Sequence, residues 1–133
     1  MEQMNMCTIG AYRITHVLSG VFYIGSSGNI DSRYRQHRSE LKRGNHPSSL
    51  LKIVYRYGDI LELEIFPTID RDSAYRKEQE ILNYHYHDLK CATQPSQEEY
   101  VVHVSKNGNI AMLRNREVTE HRYNISFTLF LIV

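Results

Sequence analysis

Apolar positions in the first third of the chain recur at two different periods. Ile9–Ile14 and Val21–Gly25 are short runs rich in β-branched and aromatic residues, joined by Thr15–Gly20, and they predict an antiparallel pair of strands. Ser26-Ser27-Gly28-Asn29 breaks the second run. The period then lengthens: Ile30, Tyr34, His37 and Leu41 fall at i, i+4, i+7 and i+11, the spacing of one buried helical stripe. Asn29 is placed to cap that helix and Arg43-Gly44 to end it, with basic residues in the last turn and glycine at the stop. Pro47–Tyr57 predicts a second helix, with Pro47 at its first position, Gly58 past its end, and Leu50, Ile53, Val54 and Tyr57 on its apolar face.

Leu61–Phe66 alternates apolar and acidic residues, as a strand covered on one side does, and Pro67 stops it. Asp70 or Asp72 can cap a third helix running to about His87, on which Ala74, Glu78, Ile81 and His85 share a face. Glu80 points away from Glu78, because two residues turn a helix by about 200°. A carboxylate on an apolar stripe must be paired, hydrated or metal-bound if it is buried. The first 88 residues therefore read β-β-α-α-β-α: an α/β (α+β) domain with a small three-stranded mixed or antiparallel sheet flanked by three helices. Gln94–Glu99 reads as a linker, which divides the chain into a domain at 1–93 and a β-rich extension at 94–133. In the extension, Tyr100–Val104 and Ile110–Leu113 form a hairpin pattern about Lys106-Asn107-Gly108-Asn109. The apolar tail Ile125–Val133 can add a strand, and its edge invites pairing with a second copy of the chain.

Composition narrows the class. The chain has 133 residues, 41% hydrophobic and 23% charged, which fits one globular domain with an appendage and excludes a disordered chain. The longest apolar stretch, Phe127–Val133, is far short of the roughly 20 residues of a membrane-spanning helix. Met1–Met6 has neither a basic nor an apolar leader pattern, so no secretory signal is expected. Cys7 and Cys91 form no C-x-x-C pair, which suggests a reducing compartment and no zinc knuckle. Charge is uneven. Residues 1–58 hold eight Lys/Arg against three acids, net +5; residues 59–133 hold eight against twelve, net −4. Five of the positive charges lie between Arg33 and Arg43, as suits an anionic partner or simply a solvated helix face.

An ordered set of polar positions decides between these. Gly10-Ala11-Tyr12 is followed, eleven residues after Tyr12, by Tyr23-Ile24-Gly25; Arg33, His37 and His46 come after, and Glu78 lies on the third predicted helix. This set resembles the GIY-YIG nuclease family, and its phage and intron-type homing endonucleases in particular, over about residues 9–90. The chain departs from the family pattern at Ala11, which replaces isoleucine, and near Thr93-Gln94, where many members carry asparagine.

The resemblance implies a DNA endonuclease that hydrolyses phosphodiester bonds of double-stranded DNA with Mg²⁺ or Mn²⁺, encoded by a phage or mobile element and working in a bacterial cytoplasm. It implicates Tyr12 as the base that activates water. Tyr23 and His37 would orient water or phosphate, and His46 belongs to the same set by its spacing. Arg33 is suited to clamp the developing phosphorane charge, because its planar guanidinium stays charged and forks onto phosphate oxygens. Glu78 is the metal ligand expected for a hard cation that prefers oxygen and keeps several waters. Arg35, Arg38, Lys42 and Arg43 are candidates for DNA phosphate contacts, which position the duplex without reading sequence.

Each residue has a plainer reading. Tyr12 and Tyr23 can be sheet aromatics, His37 a core histidine, Glu78 a structural partner of Arg33, and His46 a helix cap or surface residue. His85 and His87 diverge on a helix, and His16, His103 and His121 have no ligand spacing. The rival functions are a catalytically silent nucleic-acid-binding or interaction domain of the same fold, and a restriction or repair nuclease of the same family.

Overall fold

A computed structural model describes residues 8–88 and 90–93, together with the backbone of 100–104, 110–114 and 128–132. The element order is β1 (Gly10–His16), β2 (Phe22–Ser27), α1 (Ile30–Arg43), α2 (Ser49–Tyr55), β3 (Leu61–Pro67) and α3 (Arg71–Tyr84). The sheet has the order β2-β1-β3 and is antiparallel throughout. This is the predicted α+β architecture, with strand ends one to two residues beyond the apolar runs.

The central strand β1 is covered on both sides, which is why its apolar pattern does not alternate cleanly. Tyr12, Ile14 and Ile30 pack on the face covered by α1, and Val21, Leu41, Leu51 and Val54 continue that layer under α2. Phe22, Ile24 and Leu82 form the layer beneath α3. The segment 90–93 runs along the outer edge of β2, where the Phe22 amide donates to the Lys90 carbonyl and the Ala92 amide to the Phe22 carbonyl.

The caps explain the helix boundaries. Asn29 accepts from the Ser32 amide, and Gly44 closes α1 at φ +75°. At α2 the expectation is corrected: Ser48, not the residue before Pro47, caps the helix by accepting from the Leu51 amide, so the helix starts at Ser49 and Pro47 lies outside it. A side-chain acceptor satisfies an orphan amide, which proline at a first turn only avoids creating. α3 starts after Asp70, which accepts from the Ser73 amide, and stops at Tyr84, short of His87. His85 turns out of the helix to pair with Asp88.

β4 (Tyr100–Val104), β5 (Ile110–Arg114) and β6 (Thr128–Ile132) form a second antiparallel sheet, in the order β5-β4-β6. The predicted hairpin and tail strand are both present. The expected turn at 106–109, the linker at 94–99 and the leader region Met1–Met6 lie outside the described residues. Among the described residues no helix is long and apolar enough to cross a membrane.

Two glycines of the sequence triplets are fixed by close approach. Gly25 pairs with Tyr12, and a Cβ there would collide with the Tyr12 ring and hydroxyl. A Cβ on Gly10 would strike the Phe66 carbonyl of β3. Gly25→Ala is expected to lower stability by about 1–3 kcal/mol, the usual cost of overpacking a closed site. The midpoint of a urea transition measures this; a midpoint matching wild type would mean that the Tyr12 ring does not lie across residue 25.

Candidate active site

Four elements and one loop supply the predicted set. Tyr12 comes from β1, Tyr23 from β2, Arg33 and His37 from α1, Glu78 from α3, and His46 from the turn before α2. The fold joins Tyr12, Tyr23, His37 and His46 in direct contact and sets Arg33 and Glu78 within electrostatic reach of both tyrosines. Tyr12 is buried, with its hydroxyl 2.6 Å from His37 Nε2. His37 Nδ1 lies 2.7 Å from His46 Nε2, and the Ser48 amide donates to His46 Nδ1 at 3.0 Å. Tyr23 packs its ring against both imidazoles, at centroid distances of 4.8 and 5.6 Å.

The Arg33 guanidinium is close enough to both tyrosine hydroxyls to act on them electrostatically. Burial pushes both phenols above their usual range. The Arg33 guanidinium opposes that shift, and the Glu78 carboxylate adds to it. No ion pair joins Arg33 to Glu78 among the described residues, so the plainer reading of the two as a structural pair does not hold. Glu78 Oε1 accepts from the Ser26 hydroxyl at 2.6 Å, while the nearest donor to Oε2 is Gln79 at 3.5 Å. Helix rotation separates the two acids as expected: Glu78 is half-buried and Glu80 exposed.

His37 is fully buried and both its ring nitrogens are engaged, so it reaches water or phosphate only through Tyr12. His46 is buried too, and is neither a surface residue nor the α2 cap. Burial, first of all, holds both imidazoles below the usual range, His37 down to about 3. His16 is a third case, buried and bonded to Ser19 and the Gly58 carbonyl. The unfolded chain binds protons at these histidines near pH 6.5, whereas the folded chain does not until lower pH. Stability should therefore be flat above about pH 7 and fall as pH drops below 6.5, the His37 part continuing towards about 3. The limiting slope is about 1.4 kcal/mol per pH unit for each such histidine. Urea midpoints at pH 7.5 and 5.0 check this, and equal midpoints would contradict neutral buried imidazoles.

The four basic candidates on α1 lie outside this cluster, on its exposed side. Arg35 pairs with Asp31 at 3.1 Å, and the Arg38 guanidinium sits 5.8 Å from the Tyr34 ring centre. Lys42 and Arg43 occupy the last turn.

Four residues to which the sequence assigns no site role complete the surroundings. Ser26 orients Glu78, and its position directly after the second triplet, paired with Ala11, is the only signal for it. Ser48 fixes His46. Thr93 stands where many family members were expected to have asparagine; its hydroxyl accepts from the Ile24 amide and donates to the Ile24 carbonyl, clamping β2 beside Tyr23. Arg71, at the start of α3, faces Arg33 across a cleft of about 540 Å³ that Ser27, Gly28 and Gln36 also line.

A family model described as the GIY-YIG catalytic domain matches residues 8–88. The chain belongs to the GIY-YIG family. The region matched is the unit that carries Tyr12 through Glu78. Intron-associated endonuclease 1 of Enterobacteria phage T4 is 27% identical over 120 residues, covering 79% of this chain and 49% of that protein. This GIY-YIG chain thus spans about half the length of that relative. The catalytic domain of the homing endonuclease I-TevI superposes with a TM-score of 0.58 at 21% identity, covering 66% of this chain and 99% of that one. A mutant of the same domain gives 0.57. These relatives lie in the phage and intron branch that the triplet spacing resembles, and the shared fold is the GIY-YIG catalytic fold.

Proposed function

We propose that the chain is a metal-dependent DNA endonuclease that hydrolyses phosphodiester bonds in double-stranded DNA, of the phage or mobile-element homing type. The observation that carries this reading is the convergence of Tyr12, Tyr23, Arg33 and Glu78 with no ion pair, among the described residues, to neutralise Arg33 or Glu78. A fold kept only for binding has no need to hold a carboxylate without a cationic partner in this cluster, because that acid repels a phosphate backbone.

Hydrolysis needs an activated water, stabilisation of the phosphorane charge and a leaving 3′-oxygen. Tyr12 acts as the base, taking a proton from water. Arg33 holds the scissile phosphate and keeps positive charge beside Tyr12, which favours the phenolate. Tyr23 aligns the water from the neighbouring strand. Glu78, oriented by Ser26 and met at Oε2 only by Gln79 at 3.5 Å, offers the oxygen donor that suits Mg²⁺ or Mn²⁺. Bound there, such an ion would polarise the phosphate and favour departure of the 3′-oxygen.

Digestion of an end-labelled duplex tests the reaction directly. Fragments with 5′-phosphate and 3′-hydroxyl ends, absent with EDTA, are expected; 3′-phosphate ends would exclude this chemistry. The cleft between Arg33 and Arg71 suits a backbone phosphate next to the scissile one. Arg71→Ala should lessen the slope of log affinity against log salt by about one and raise KM more than it lowers kcat. Fluorescence anisotropy at several salt concentrations measures it; an unchanged slope would remove Arg71 from the interface.

A further inference from the structure

We propose that His46 is a positioning residue which, with its proton placed by the Ser48 amide, makes His37 a fixed hydrogen-bond donor to the Tyr12 oxygen. The proposal rests on the reading of Tyr12 as the base, and adds which way the supporting hydrogen bonds run and which residue sets their direction.

The direction follows from one group that cannot change role. A backbone N–H only donates, and the Ser48 amide donates to His46 Nδ1 at 3.0 Å. That nitrogen therefore bears a lone pair, and in the neutral ring the proton sits on Nε2. His46 Nε2 is 2.7 Å from His37 Nδ1, so His46 donates and His37 Nδ1 accepts. The His37 proton is then on Nε2, 2.6 Å from the Tyr12 hydroxyl oxygen. The chain runs from the Ser48 amide through His46 and His37 to Tyr12, every bond pointing the same way. Adding a proton to either imidazole would set two N–H groups against each other, so the pair stays neutral. Glu40 and Arg33 of α1 and Lys52 of α2 face His46, and Arg33 also faces His37.

Two consequences separate this arrangement from its alternatives. His37 cannot remove the Tyr12 proton: its Nε2 is already protonated, and the far end of the chain is an amide that passes nothing on. The hydroxyl proton must leave on the side of Arg33 and Glu78, where the substrate binds. Further, His37, Glu40 and His46 have the composition of a metal site, with ligand atoms within 4.8 Å of one another. They are not one here, because His46 Nε2 carries a proton and the His37 Nδ1 lone pair is occupied.

Long-range ¹H–¹⁵N correlation spectra of the whole chain read the ring nitrogens without any need for activity. Both His37 and His46 are expected as neutral Nε2–H tautomers between pH 8 and pH 5. An Nδ1–H tautomer at either ring, or a cationic ring at pH 6, would overturn the proposal. In kinetics on duplex DNA, His46→Leu should lower kcat roughly ten- to a hundred-fold with KM unchanged, the size of one charge-assisted hydrogen bond. His46→Gln, which can accept from Ser48 and donate to His37, should recover most of that loss. An unchanged kcat in folded His46→Leu, or a Gln variant no better than Leu, would contradict the positioning role. If the wild-type chain cleaves nothing, the nuclease reading fails, and the ring-nitrogen spectrum still decides the direction of the hydrogen bonds.

Discussion

Glu78→Ala should cut duplex DNA about a thousand-fold more slowly than wild type in Mg²⁺ while binding it at least as tightly in EDTA. The direction follows from charge. Without a bound ion the carboxylate only repels a phosphate backbone, so its removal should not weaken binding measured in EDTA. Its loss does remove the oxygen donor through which Mg²⁺ would act, and a thousand-fold is about 4 kcal/mol of lost transition-state stabilisation. Ser26→Ala leaves the acid in place but frees it to rotate, so a loss nearer ten-fold is expected. Single-turnover rates beside anisotropy titrations separate the two effects. A Glu78→Ala variant that cuts normally, or one that no longer binds DNA, would remove Glu78 from the role assigned to it.

Tyr12→Phe should lower kcat by about 10³, within the range set by loss of a positioned general base. Phenylalanine keeps the ring that lies across Gly25, so the fold survives; what goes is the oxygen that His37 and Arg33 serve. The pH dependence carries further information. Burial, the larger effect, holds the Tyr12 hydroxyl above its ordinary range and Arg33 only partly offsets it. The phenolate fraction therefore grows with pH throughout the neutral range, and the wild-type single-turnover rate should rise close to ten-fold per pH unit from 6 to 8. In Tyr12→Phe that rise should vanish. A wild-type rate that is level across this range would point to a base other than Tyr12.

Much of this was legible in the sequence because the signals are local. Alternation, the 3.6-residue stripe, Asn29, Gly44 and Asp70 are read within a few residues, and each governs structure over the same distance. The ordered triplets were legible because the reaction needs particular side chains at particular places on the elements. At the α2 start Pro47 and Ser48 both signal a helix start, and the hydroxyl that accepts a hydrogen bond prevails. The end of α3 was misread because a pairing of His85 with Asp88 leaves no periodic trace. Long-range partners were out of reach. Nothing within nine residues says that His46 bonds His37 rather than capping a helix, or that Thr93 ties down a strand sixty-nine residues away. Arg71 carries no motif at all; only the cleft reveals it.

Supercoiled plasmid incubated with wild type in Mg²⁺, wild type with EDTA, or Glu78→Ala in Mg²⁺ tests the metal-dependent nuclease site. Nicked or linear product from wild type in Mg²⁺ alone is the predicted result. Cleavage that persists in EDTA or in Glu78→Ala would contradict the metal-dependent site, and intact plasmid that the wild-type chain nonetheless retards on a gel would favour a silent binding domain.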